Sequence, residues 1–162
     1  MPVEPLRGLL CMDDPATRRA VEVILRRCGY NVIAEVGSAA EAIVAAGIGE
    51  PDAVVLDLAL TGDLGLGALA ALHAASPGCA VIVVSSFDTM RPATLEAGAY
   101  DFVGNSDLRG LWRSLQRLAA GRQGGGEGDG SRTAPAVQLD GAPSSARTSP
   151  ATGSRRTKAP AT

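Results

Sequence analysis

Five short apolar runs alternate with five helical patterns along this chain, and no other feature limits its fold as much. The runs at 8–12, 30–34, 53–58, 79–84 and 100–103 read as strands. The third, 53–58, is a continuous apolar run of the kind buried on both faces. The segments between the runs carry helix signals. Asp14 followed by Pro15 is an acidic cap with proline at the first helical position, Val21, Ile24, Leu25 and Cys28 recur at helical spacing, and Gly29 stops the helix. Ser38-Ala39-Ala40-Glu41 is a capping box, opening a helix that runs out near Gly47 and Gly49. An alanine-rich helix follows at 66–75, and a short one lies within 89–97, with Pro92 near its start and Gly98 at its end. Asp107 caps a last helix bearing Leu108, Leu111, Leu115 and Leu118. Such an alternation specifies an α/β fold, a doubly wound parallel sheet with helices on both faces.

Ligands of these sheets gather at the carboxyl ends of the strands. Asp13 and Asp14 follow the first run and Asp57 ends the third, so three carboxylates are expected along one edge. Their mutual repulsion is best relieved by a hard divalent cation with oxygen ligands. Ser85 closes the fourth run on the same edge. Gly65 lies eight residues after Asp57. Gly98-Ala99 precedes the fifth run, within which Phe102 is expected to face the last helix.

With these features in this order, residues 6–120 resemble the receiver domain of bacterial two-component response regulators. The resemblance implies a flavodoxin-like five-stranded sheet in the order 2-1-3-4-5. It further implies that Asp57 accepts a phosphoryl group from a histidine kinase or phosphotransfer protein. Asp13, Asp14, Asp57 and the backbone carbonyl of Ala59 would hold Mg²⁺, one of the acidic pair directly and the other partly through water. Ser85 would bind a phosphoryl oxygen, and Phe102 would turn inward as the switch aromatic. Output would be protein–protein contact through the face of the fourth helix, fifth strand and last helix, the face receivers often use for dimers and partners.

One departure is chemical. The family has a lysine three residues after the aromatic, where this chain has Asn105, and its single lysine is Lys158. Arg109 lies about one helical turn beyond Asn105. Losing a charge-assisted contact to a phosphoryl group costs about 1.5–3 kcal/mol. The family's Met-Pro after the acceptor is Leu60-Thr61, and the 85–98 segment is short, so an irregular fourth helix is expected. A phosphate-independent pseudo-receiver is therefore the second reading. A metal-dependent phosphohydrolase is disfavoured, because Ala59 stands where an acid two residues past the nucleophile is needed and the lysine is missing.

Composition divides the chain near residue 120. Residues 1–120 hold nine arginines against fourteen acidic groups, net −5, while 121–162 hold six basic and three acidic groups, net +3. The second part is mostly Gly, Ser, Thr, Pro, Ala and Arg and is expected to be a disordered basic tail. It contains no helix-turn-helix pattern, so sequence-specific DNA binding is not expected, and a truncated transcriptional regulator is a further reading. A single-domain regulator is the leading one. The three cysteines lack metal-ligand spacing and read as core thiols of a reduced protein. No run reaches membrane-spanning length, and a cytoplasmic location is expected. His73 is expected at the surface.

Overall fold

The computed structural model describes residues 3–124; the expected basic tail lies almost wholly outside them. β1 (Leu6–Cys11), β2 (Tyr30–Val36), β3 (Ala53–Asp57), β4 (Ala80–Ser85) and β5 (Asp101–Gly104) form one sheet in the order β2-β1-β3-β4-β5. All neighbouring pairs are parallel. Helices α1 (Pro15–Arg27), α2 (Ala39–Gly49), α3 (Gly67–Ala75), α4 (Arg91–Glu96) and α5 (Leu108–Gln123) make the crossovers. The fold is the flavodoxin-like arrangement expected from the sequence.

Strand alternation divides the core into two layers. Leu9, Cys11, Val54, Leu56, Val81, Val83 and Phe102 face α2 and α3, whose Ala42, Ala46, Leu69 and Leu72 cover them. Leu10, Met12, Val55, Ile82, Val84 and Val103 face α1 and α5, meeting Val21, Leu25, Leu111 and Leu115. Phe102 thus points away from α5, against the sequence expectation, and Val103 takes that side. The cause is register: Phe102 pairs with Val83, which fixes it to the α2–α3 layer.

The helix ends follow local chemistry with two exceptions. Asp14 caps α1, Ser38 caps α2 and Asp107 caps α5, each accepting a backbone N–H three residues on. α2, however, continues through Gly47 and Gly49 and ends on Glu50, which takes the left-handed conformation (φ 46°). Gly49 is needed for packing: a Cβ there would lie 2.6 Å from Cδ1 of Ile33. The second exception is the loop after β3, where residues Leu58–Leu64 wind into 3-10 turns broken at Gly62, with positive φ at Gly62 and Gly65. α4 is six residues long and preceded by a 3-10 turn, the short fourth helix that the spacing predicts. His73 is half-buried beside the turn at Gly98, not on the open surface.

Opposite the carboxyl edge, Asp52 joins three elements. Its Oδ2 accepts the Arg7 N–H at 2.8 Å, and its Oδ1 accepts from Arg122 Nη1 at 2.8 Å. Arg122 also donates to the carbonyl of Gly78, tying the last turn of α5 to the start of the sheet. Side chains of this pair are 22% and 16% exposed, whereas Arg19, paired with Glu22 on α1, is 76% exposed. We expect Arg122→Ala to cost about 1–3 kcal/mol, since it strands a half-buried carboxylate. Arg19→Ala should change stability by under about 0.5 kcal/mol. Urea denaturation of both variants measures the difference.

Candidate functional site

β3 ends at Asp57 beside the end of β1, where Leu56 pairs with Cys11, and beside β4, where Asp57 itself pairs with Val84. Asp57 Oδ1 accepts the Ala59 N–H at 2.9 Å, a short loop closure that orients the carboxylate. Among the described residues no hydrogen bond reaches Oδ2. Burial pushes the Asp57 carboxyl above the ordinary range; the Ala59 N–H opposes this and the Asp13 charge adds to it. Among the described residues no cationic side chain acts on it.

The acidic pair expected from the sequence is divided. Asp13 is exposed, and its charge bears on Asp57 and on Cys11. Asp14 is committed elsewhere: its Oδ2 accepts both the Thr17 N–H at 2.7 Å and the Thr17 hydroxyl at 2.6 Å. Those bonds hold its carboxyl below the usual carboxylate range. The residue before Asp13 is Met12, fully buried in the α1–α5 layer. Among the described residues no three of His, Cys, Asp and Glu come together closely enough to cage a metal. What remains is a two-carboxylate site, Asp13 and Asp57, with the carbonyl of Ala59 next in the chain. An all-oxygen set with one unengaged Asp57 oxygen and an uncompensated like-charge pair fits Mg²⁺, which binds through one or two carboxylates and keeps several waters. In such an arrangement Asp14 could contribute only through water or after releasing its cap.

Ser85 is buried at the end of β4. Its Oγ accepts the Phe87 N–H at 3.1 Å, and its carbonyl accepts the Asn105 N–H at 3.0 Å. Asn105 therefore stands at the same edge, with an exposed amide in the place of the family's lysine. Phe102 is only 2% exposed. Arg91, at the start of α4, lies over its ring with 4.9 Å from the guanidinium carbon to the centroid, and Arg91 Nη1 donates to the Phe102 carbonyl at 2.9 Å. Sequence reasoning missed Arg91 and also Arg18, whose guanidinium reaches the β1–α1 loop. Arg18 could have been noticed, because it sits one turn past the Asp14 cap.

Cys11 lies under the pair. Burial, and then the Asp57 charge, push its thiol up to about 12. Two outcomes follow. Native Cys11 should resist iodoacetamide at pH 8 and react once the protein is unfolded, as peptide mapping would show. Asp57→Asn should raise Tm at pH 7 by a few degrees, because it removes a buried charge and its repulsion with Asp13. A folded-state pKa above the unfolded value destabilises the ionised protein. The gain should therefore shrink as pH falls through the raised Asp57 pKa toward the ordinary carboxylate value, where wild-type Asp57 protonates. Differential scanning calorimetry from pH 7 to pH 4 tests this.

Comparison with known proteins agrees with this fold. Residues 9–105 match the response regulator receiver domain family. The chain is 36% identical over 102 residues to "Probable transcriptional regulatory protein TcrX" of Mycobacterium tuberculosis, covering 62% of this chain and 43% of that protein. It is 32% identical over 142 residues to the two-component response regulator-like protein PRR73 of Oryza sativa, covering 82% of this chain and 18% of the relative. The chain thus spans less than half the length of these relatives. Among solved structures, a LuxR-family two-component response regulator from Aurantimonas sp. superposes with a TM-score of 0.64 at 30% identity, over 72% of this chain and 86% of that one. The receiver domain of sensor histidine kinase PA1611 from Pseudomonas aeruginosa, a structure with magnesium coordinated in its active-site cleft, gives 0.61 at 26%, over 72% and 98%. The chain belongs to the response regulator receiver family.

Proposed function

We propose that this receiver accepts a phosphoryl group on Asp57 from a phosphohistidine of a sensor kinase or phosphotransfer protein, and signals by protein–protein contact. One observation carries the reading. A strand-end aspartate presents an oxygen free of hydrogen bonds among the described residues, beside the Asp13 carboxylate and next to the strand that ends in Ser85. In the transfer an Asp57 oxygen attacks phosphorus, the P–N bond breaks, and the departing imidazole keeps the electron pair. The Ala59 N–H keeps the other oxygen in place. Ser85 would exchange its Phe87 partner for a phosphoryl oxygen. Mg²⁺, held by Asp13, Asp57 and the Ala59 carbonyl, would neutralise charge on the transferring group. Asp57 is read as a phosphoacceptor and not as the nucleophile of a phosphohydrolase, since Ala59 brings no acid to the second residue after it. Free thiols and the lack of any single described helix long and apolar enough to cross a membrane support a cytoplasmic setting.

A second reading, a receiver-fold interaction module independent of phosphate, draws support from three observations. Asp14 is engaged as a cap, Asn105 brings no cation to the edge, and Phe102 is already buried beneath Arg91. Intact-mass spectrometry after incubation with acetyl phosphate separates the two. The proposal requires one phosphoryl adduct that is lost in Asp57→Asn and in EDTA. If the folded protein takes up no adduct while a competent receiver is labelled in parallel, the second reading stands. Asn105→Lys should raise the labelled fraction, with a gain of about tenfold in rate for a charge-assisted contact of 1.5 kcal/mol or so.

A further inference from the structure

The acidic loop between β1 and α1 is short, and its backbone is held by a side chain to which no role has been given. Beyond Cys11, Met12 makes one last sheet-like bond, donating its N–H to the Val36 carbonyl at 3.1 Å. Neither the Met12 nor the Asp13 carbonyl has a ladder partner, and both are taken by Arg18. Arg18 Nε donates to the Met12 carbonyl at 3.1 Å and Nη2 to the Asp13 carbonyl at 3.2 Å. Nη1 lies 4.0 Å from Glu35 near the end of β2, and the Arg18 backbone N–H closes the first turn of α1 on the Asp14 carbonyl at 2.9 Å. One residue thus binds three successive carbonyls, two through a planar fork that suits adjacent acceptors.

We infer that Arg18 is the positioning residue of the site: its bidentate grip on the Met12 and Asp13 carbonyls aims the Asp13 carboxylate at Asp57 for cation binding. This deepens the receiver reading and rests on it. With both carbonyls turned toward α1, the peptide planes on either side of Asp13 have little freedom, and the Asp13 side chain stays on the side of Asp57. The influence is geometric. The ionisation of Asp57 is set by burial, the Ala59 N–H and Asp13, and Arg18 is not among its determinants. Geometry matters more here because Asp14 is diverted to its cap, which leaves a two-carboxylate site with little redundancy. A lysine could supply the charge but not the fork, since an ammonium is a compact point donor on a flexible stem.

The test is calorimetric titration of the full chain with MgCl₂ alone, comparing wild type, Arg18→Ala, Arg18→Lys, Arg19→Ala and Asp57→Asn. Amide hydrogen exchange of the metal-free proteins accompanies it. Groups that orient a ligand typically contribute 10–100-fold to metal affinity. Arg18→Ala should therefore weaken Mg²⁺ about tenfold, and Arg18→Lys should behave like Ala. Arg19→Ala should match wild type, because among the described residues its ionic partner is Glu22 on α1, away from the loop. In Arg18→Ala the amides of Met12 and Thr17, which bond to the Val36 carbonyl and to Asp14 Oδ2, should exchange faster without metal, while the β3 and β4 amides stay protected. Wild-type affinity in Arg18→Ala overturns the inference, and full rescue by Arg18→Lys overturns its geometric basis. If wild type shows no Mg²⁺ binding dependent on Asp57, the receiver reading of the cation site falls along with it. That outcome is distinct from one in which wild type binds and only the Arg18 variants are silent.

Discussion

Two carboxylates held near each other without a compensating cation set the character of the functional edge. A parallel sheet covered on both faces leaves its strand ends as the only places where charge can gather, and here the chain places Asp13 and Asp57 there together. Their repulsion is an intrinsic cost of this architecture, and burial of Asp57 adds to it. A proton or a divalent cation would relieve the pair, and each is favoured by the same repulsion. The apolar layers above and below are what make the relief worth having, because they deny the carboxylates full solvation.

The fold was legible because five buried runs separated by capped helical patterns leave little topological choice, and the order of the acidic, hydroxyl and glycine positions narrowed it to one family. The site was read less accurately, for definite reasons. Asp13 and Asp14 are neighbours in sequence, but the helix start lies between their roles. Asp14 was recognised both as a cap and as a metal ligand, and its carboxylate is already bonded to Thr17. Phe102 was assigned to the wrong layer because alternation gives two faces without saying which is which. Only the pairing of Phe102 with Val83 decides it, and register between strands remote in sequence leaves no local mark. The glycines near the end of α2 looked like stops, yet Gly49 is there to admit Ile33. The contacts of Arg91 with Phe102 join a helix to a strand eleven residues on, and periodicity does not encode them.

The substitution at Asn105 and the setting of Phe102 bear on each other. Asn105 is tied through its backbone to the end of β4, so the edge keeps its shape although the side chain brings no charge. Phe102 meanwhile rests in the α2–α3 layer with Arg91 over its ring and on its carbonyl. The two settings meet in the short β4–α4 segment, where Ser85, Phe87 and Arg91 lie within seven residues.

The far end of α5 carries a mechanical consequence. The helix begins at the Asp107 cap on the carboxyl edge and ends sixteen residues later, about 24 Å away, where Arg122 is riveted to Asp52 and Gly78. The Tyr30 hydroxyl holds it at mid-length through the Leu115 carbonyl. A rod fixed at its base and braced at its centre cannot slide along the sheet. Any displacement delivered near Asn105 must appear as a tilt or a twist of the first two turns, which turns α5 into a pointer whose free end is the one at the carboxyl edge of the sheet.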